Sequence, residues 1–216
     1  DGHEFASQAV ENGAVCLLLE RKVQLPAGTD VRQIVVPDTL KALGDMAAYR
    51  RRQLGKITNQ TVVAITGSCG KTTVKEMAAS ILQRKWPEGP EYPERAVLKT
   101  RGNFNNLIGM PLSLLPLDLT NHAAVLEMGM NQPGELKRLA EIADPDISCI
   151  VNVHGAHLEG LHSIEGVALA KEELFAGTKE SGILVVNIDD PRVSALAKKY
   201  KQTKVTFSAL EENICK

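Results

Sequence analysis

Closely spaced cysteines are missing from this chain. Cys16, Cys69, Cys149 and Cys215 stand far apart, which excludes a zinc ribbon, a C-x-x-C redox motif and a disulfide framework, and leaves four reduced thiols. An excess of either charge is missing too. The formal net charge is −1 and the basic residues are spread along the chain, so there is no electrostatic footprint for nucleic acid or an anionic membrane. Arg50, Arg51 and Arg52 form the one basic cluster, and it reads as the solvated face of a helix. No apolar run reaches the roughly 20 residues that cross a bilayer, and neither a signal peptide nor an internal repeat is visible. These absences predict a soluble, cytoplasmic protein with no nucleic-acid partner and no membrane insertion.

What is present suffices for a sizeable core. A chain of 216 residues, 44% hydrophobic, is long enough for one full domain and part of another. It opens at Asp1 on what reads as the middle of a domain, so a piece of a longer chain is expected. Residues 4–12 suit a short helix, 14–20 and 31–36 suit strands, and a helix runs from Asp38, a plausible N-cap, to about Leu54. The polar stretch 55–60 breaks the periodicity and marks the expected domain boundary. Beyond it, apolar runs at 61–66, 122–128, 146–152 and 182–188 alternate with helical stretches, and 204–207 offers a fifth strand. Near-continuous apolar strands separated by amphipathic helices predict an α/β fold, a doubly wound, mostly parallel sheet whose ligands sit at the carboxyl ends of its strands. A smaller α/β portion precedes it. The Pro- and Glu-rich stretch 86–95 reads as an exposed loop.

The segment TVVAITGSCGKTTVKEM, residues 61–77, supplies strand, glycine turn and helix in that order. Gly67 and Gly70 let the backbone turn tightly, so that the amides around Ser68, Cys69, Lys71, Thr72 and Thr73 converge at a helix start that favours an anion. Lys71 adds a point charge for outer phosphates, and the Thr72 hydroxyl can take Mg²⁺. Ile65 replaces the first glycine of the full G-x-x-x-x-G-K-[ST] pattern, so the flanking strand and helix carry the assignment. The bland alternative is an ordinary strand-to-helix turn. Glu127 closes an apolar strand where a carboxylate can share Mg²⁺ with Thr72, which suits that ion's preference for oxygen ligands; a solvated strand-end acid is the competing reading.

His154, His157 and His162 follow another predicted strand. Zinc is set aside, because no cysteine lies near and nucleotide chemistry calls for a hard cation. Taken singly, each histidine is more often a loop or packing residue. Lys171 falls on the apolar stripe of IEGVALAKEELF, residues 164–175, where helical spacing aims a side chain at the core. On periodicity alone it reads as a lysine whose methylenes pack on the core edge while its ammonium reaches water.

Together these segments resemble the Mur ligase family. ITGSCGKTT looks like its ATP loop, GNFNNLIGMPLSLL its asparagine segment, LEMGMNQPGE its acidic metal segment, AHLEG with ALAKEELF its histidine and lysine segment, and NIDD its adenine-contact segment. The resemblance covers essentially the whole chain. It implies an ATP-dependent amide ligase of peptidoglycan precursor synthesis that joins D-alanyl-D-alanine to UDP-N-acetylmuramoyl-tripeptide through an acyl phosphate, and a monomer. By resemblance, Lys71 contacts the outer phosphates, Thr72 and Glu127 hold one Mg²⁺, and His157 helps to hold a second beside Lys171, carbamylated by CO₂. Asn187 would contact adenine, and Asn103 and Asn106 would lie near the UDP-linked substrate. Residues 1–57 would be the later part of the UDP-substrate domain and 58–216 the central ATP-binding domain. The family's C-terminal ligase domain falls outside the chain, which is therefore expected to ligate nothing by itself. His154 and Leu161 depart from the family's usual small and aromatic residues. Other ligases of the superfamily, including the type that adds glutamate to folate, and a silent nucleotide-binding module stay open as alternatives. A switch GTPase is disfavoured by the absence of N-K-x-D and D-x-x-G.

Overall fold

The computed structural model describes residues 1–86, 96–155 and 158–210. By contact the chain divides into two compact units, Asp1–Leu43 and Gly44–Lys216. The first holds a short helix, α1 (Ala6–Glu11), and two strands, β1 (Cys16–Leu19) and β2 (Arg32–Val35), paired in parallel. Ala6, Leu17 and Leu19 form its small core. Helix α2 (Thr39–Gly55) begins in this unit, where the Asp38 carboxylate accepts from Lys41 N at 2.8 Å as an N-cap does.

The later turns of α2 belong to the second unit, ahead of the boundary that composition suggests at 55–60. The reason is packing: Ala47, Ala48 and Leu54 are buried in the larger core, and a polar, glycine-containing stretch marks where a helix stops, not which core the helix joins.

The second unit is built on six strands: β3 (Thr61–Thr66), β4 (Val97–Lys99), β5 (Ala123–Glu127), β6 (Ile147–Ile150), β7 (Ile183–Asn187) and β8 (Thr203–Phe207). Their order is β4-β5-β3-β6-β7-β8, and every pair is parallel. Helices α3 (Lys71–Lys85), α4 (Gly109–Leu114), α5 (Glu135–Ala143), α6 (Leu158–Leu161), α7 (Ile164–Ala176) and α8 (Pro191–Ala197) connect them. Alternation along β3 sends Val62 and Ala64 into one core with Leu139 and Leu174 of α5 and α7, while Ile65 joins Ala79 of α3 on the other face. Both faces are therefore covered, as the apolar strands require. β4 has three residues, too few to show a period, and the sequence reading has no strand there.

The chain leaves β3 for the β5 side and later crosses back to β6. That reversal makes the carboxyl ends of β3, β5 and β6 the switch point at which open α/β sheets bind ligands.

Candidate active site

The turn after β3 sits at this switch point. Gly70 has φ +76°, a backbone conformation that any side chain would strain. At Gly67 a Cβ would lie 3.0 Å from the Val151 Cβ, so a side chain there would press the loop away from the residue that follows β6. The start of α3 leaves the Lys71, Thr72 and Thr73 amides without intrahelical acceptors. Lys71 Nζ curls back to donate to Gly67 O at 2.9 Å. The amides of Ser68 and Cys69 are already engaged, both donating to Asn152 Oδ1 at 3.0 Å. Asn152 Nδ2 returns bonds to Cys69 O and Sγ, each at 3.2 Å. Ser68 Oγ donates to His154 O and accepts from His154 N, both at 2.9 Å. Residues 152–154 thus staple the loop in its turn, and this use of Asn152 carries no motif in the sequence.

Glu127 ends β5 next to the loop and is 2% exposed. Its Oε2 accepts from Thr72 Oγ1 at 2.8 Å and its Oε1 from Asn105 Nδ2 at 2.8 Å. Among the described residues it has no cationic partner, and burying an unpaired carboxylate is costly. A hydroxyl and a carboxylate held together, with charge left to neutralise, fit a hard divalent cation that takes its other ligands from phosphate and water. No group of three or more His, Cys, Asp or Glu side chains gathers for a metal among the described residues.

Asn105 belongs to the segment that the sequence singles out, but Asn103 and Asn106 are the two named there. Asn103 is exposed. Asn106 Oδ1 accepts from Ile108 N at 3.1 Å and Gly109 N at 2.8 Å, so it braces the turn that leads into α4. The middle asparagine is the one turned onto Glu127. Spacing carries no signal for this, since an irregular segment has no period.

Lys171 is 2% exposed within α7, so its side chain is inside. Among the described residues no hydrogen bond or ion pair reaches its ammonium. Burial first, and then the nearby Lys71 charge, hold its pKa down to about 8 from 10.5, with Cys69 acting the other way. His157 lies outside the described residues. His154 is exposed and enters the loop contacts through its backbone. His162 has φ +62°. Asn187, at the end of β7, lines a cleft of about 310 Å³ with Asn152, Val153, His154, Asp189 and Pro191. Its side chain also donates to Val151 O, just past β6, at 2.9 Å and accepts from Asp189 N, in its own turn, at 3.0 Å.

The family model for the Mur ligase middle domain matches residues 65–215. A curated relative, the UDP-N-acetylmuramoyl-tripeptide--D-alanyl-D-alanine ligase of Haemophilus influenzae, is 41% identical over 88% of this chain and 39% of its own length. Among solved structures, MurF from Acinetobacter baumannii superposes with TM-score 0.80 at 36% identity, over 96% of this chain and 42% of that one. MurF ligase from Thermotoga maritima in complex with ADP gives TM-score 0.79 at 35% identity, over 96% of this chain and 44% of that one. The chain thus spans about two fifths of the length of these relatives.

Proposed function

The chain belongs to the Mur ligase family, and on that premise we propose that it supplies the ATP-binding part of a UDP-N-acetylmuramoyl-tripeptide:D-alanyl-D-alanine ligase. By family resemblance residues 1–57 are then the end of the UDP-substrate domain and 58–216 the central domain, a division that differs from the packing of the later turns of α2, and the protein works in the cytoplasm on a soluble UDP-linked precursor. Among the described residues no helix is long and apolar enough to cross a membrane, which suits such a setting. The observation that carries the reading is the pairing of Thr72, in the first turn of α3, with the buried strand-end Glu127 at 2.8 Å, directly below the Gly67–Gly70 turn.

In this reading the open amides of Lys71, Thr72 and Thr73 receive the outer phosphates, and Lys71 Nζ exchanges Gly67 O for phosphate oxygen. Asn152 keeps the loop in its turn while this happens, and Asn187 faces the adenine side of the cleft. Thr72 and Glu127 would hold one Mg²⁺, and His157 and Lys171 a second. When bound, the two ions offset the repulsion between a substrate carboxylate and the triphosphate. The carboxylate takes the γ-phosphoryl group to give an acyl phosphate, ADP leaves, and the amine of D-alanyl-D-alanine then displaces phosphate. Asn103 and Asn106 line the approach of the UDP-linked substrate. No side chain acts as nucleophile, and catalysis is positioning and charge neutralisation.

Lys171 enters as a carbamate. Its neutral amine attacks CO₂ and releases a proton, so a cation becomes an oxygen ligand. For a free lysine near pKa 10.4, presenting the neutral amine at pH 7 costs about 4 to 5 kcal/mol; with its pKa held down to about 8 by burial, Lys171 presents it at a fraction of that cost. Burial therefore removes most of that barrier.

The test is to incubate the full-length protein with ATP, Mg²⁺, UDP-N-acetylmuramoyl-tripeptide and a panel of amines, and to follow ADP and phosphate. Release that needs both the tripeptide precursor and D-alanyl-D-alanine is expected. Release with folate and glutamate instead, or none with any pair, would sink the proposal. For the carbamate, Lys171→Ala should lose at least 100-fold in rate and recover part of it with short-chain carboxylates. Labelled ¹³CO₂ should give a carbamate resonance in the wild type alone. An alanine variant at wild-type rate without additive would remove Lys171 from the site.

A further inference from the structure

The end of β4 is held by a lysine that plays no part in the chemistry above. β4 stops at Lys99, opposite Val125, whereas β5 runs on to Glu127. The last residues of β5 therefore have no strand on that side. Such an ending leaves the Glu127 N–H and the carbonyls of the departing chain in want of partners. Side chains supply them. Thr100 Oγ1 accepts from Glu127 N at 2.9 Å. The ammonium of Lys75, one helical turn after Lys71 on α3, donates to Thr100 O at 2.9 Å and Gly102 O at 3.5 Å, and pairs with Glu76 Oε1 at 2.9 Å.

Lys75 and Thr100 are both 0% exposed. A fully buried ammonium persists only where partners offset its desolvation, and here those partners are the carbonyls of one turn and one carboxylate. Gly102, at φ +53°, lets that turn swing the chain back toward β5. Three residues later, Asn105 places its amide on Glu127 Oε1 at 2.8 Å. Glu127 is thus held at its backbone by Thr100 and at its carboxylate by Asn105, and both arrive on the segment that Lys75 fastens to α3.

We infer that Lys75 is a positioning residue: by clamping the Thr100–Gly102 turn to the nucleotide helix, it sets the orientation in which Glu127 meets the divalent cation. The inference rests on the reading of Glu127 as a cation ligand. It links two elements, since α3 carries Thr72 and the clamped segment carries Asn105, the two donors to the Glu127 carboxylate. Losing the ammonium strands two carbonyls and frees the turn, so both restraints on Glu127 slacken together. The Lys71, Thr72 and Thr73 amides stay where they are.

The experiment uses the full-length protein and two readouts. Calorimetry follows ADP binding across Mg²⁺ concentrations, and hydrogen exchange follows the Glu127 amide with no ligand added. Lys75→Met should bind ADP like the wild type without Mg²⁺, yet need roughly 10- to 100-fold more Mg²⁺ to reach the tight-binding form, the usual scale for losing an outer-shell partner. Its Glu127 amide should exchange faster. Thr100→Val should reproduce both effects and Thr100→Ser neither, because serine keeps the accepting oxygen; this pair tests the Thr100 link to Glu127, and Lys75→Gln, expected to show both effects, tests the clamp itself if Lys75→Met fails to fold. Wild-type Mg²⁺ dependence in Lys75→Met or Thr100→Val would overturn the inference. A wild type whose ADP binding ignores Mg²⁺ would instead sink the functional reading, while exchange at Glu127 still decides whether Lys75 holds it.

Discussion

Lys171 shows how far a single residue can be read from its neighbours in sequence. Helical spacing alone puts it on the apolar stripe of α7, and it is buried there. What spacing cannot supply is the electrostatic setting, because Lys71 and Cys69 lie a hundred positions away along the chain. The setting has a measurable consequence. A pKa lowered from 10.5 to about 8 means that the unfolded chain binds more protons than the folded one between those values, so stability rises with pH across that window. Below about pH 8 the folded protein carries the full cost of a buried ammonium, about 3 kcal/mol at 1.36 per unit. In CO₂-free buffer, Lys171→Met should therefore be more stable than the wild type at pH 7, with the gap closing from pH 8 to 10.5. Denaturant titrations at three pH values check this, and a gap independent of pH would refute it. Asn105 is the opposite case, invisible in the sequence among three asparagines. Asn105→Asp would set a second carboxylate against Glu127, and a loss of roughly 10- to 100-fold in Mg²⁺-dependent rate is expected. Unchanged steady-state kinetics would remove Asn105 from the site.

Among the elements, the strands that announce themselves are those with enough residues to show an apolar run. β3, β5, β6 and β7 are visible in this way. β4 escapes because it has three residues, and α4 because GMPLSL carries a proline and no cap signal at its start. Both elements are made by tertiary contact. Gly109 in α4 illustrates it: a Cβ there would lie 2.5 Å from the Phe104 Cα, a backbone atom that cannot step aside. Gly109→Ala is expected to destabilise by about 1 to 3 kcal/mol, the range for overpacking, and to push the asparagine segment off Glu127. Thermal unfolding and Mg²⁺-dependent ADP binding should change together, whereas a variant with a wild-type melting temperature would show that the segment has room to yield.

For the whole molecule, strand order decides the site. The Gly67–Gly70 turn, Glu127 and Asn152 come from three separate stretches and meet because β5, β3 and β6 are neighbours. If that meeting point binds nucleotide, Mg²⁺ and ADP at about 100 times Kd should stabilise the fold by about 2.7 kcal/mol. At about 2 to 4 °C per kcal/mol for a chain of this size, the melting temperature should rise by roughly 5 to 10 °C. Scanning calorimetry with ADP and Mg²⁺ added separately and together checks this, and equal shifts with and without Mg²⁺ would contradict the roles of Thr72 and Glu127.

The sequence by itself determined the α/β class, the glycine turn between strand and helix, the strand-end acid and the inward lysine, because each is written in apolar runs, in a period of 3.6 residues or in a contiguous motif. Tertiary structure alone decided that Asn152 takes up two loop amides, that Asn105 and not its flanking asparagines meets Glu127, and that Lys75 replaces the missing end of β4. Those are contacts across 22 to 84 positions, and no local pattern encodes which distant backbone group a polar side chain will find.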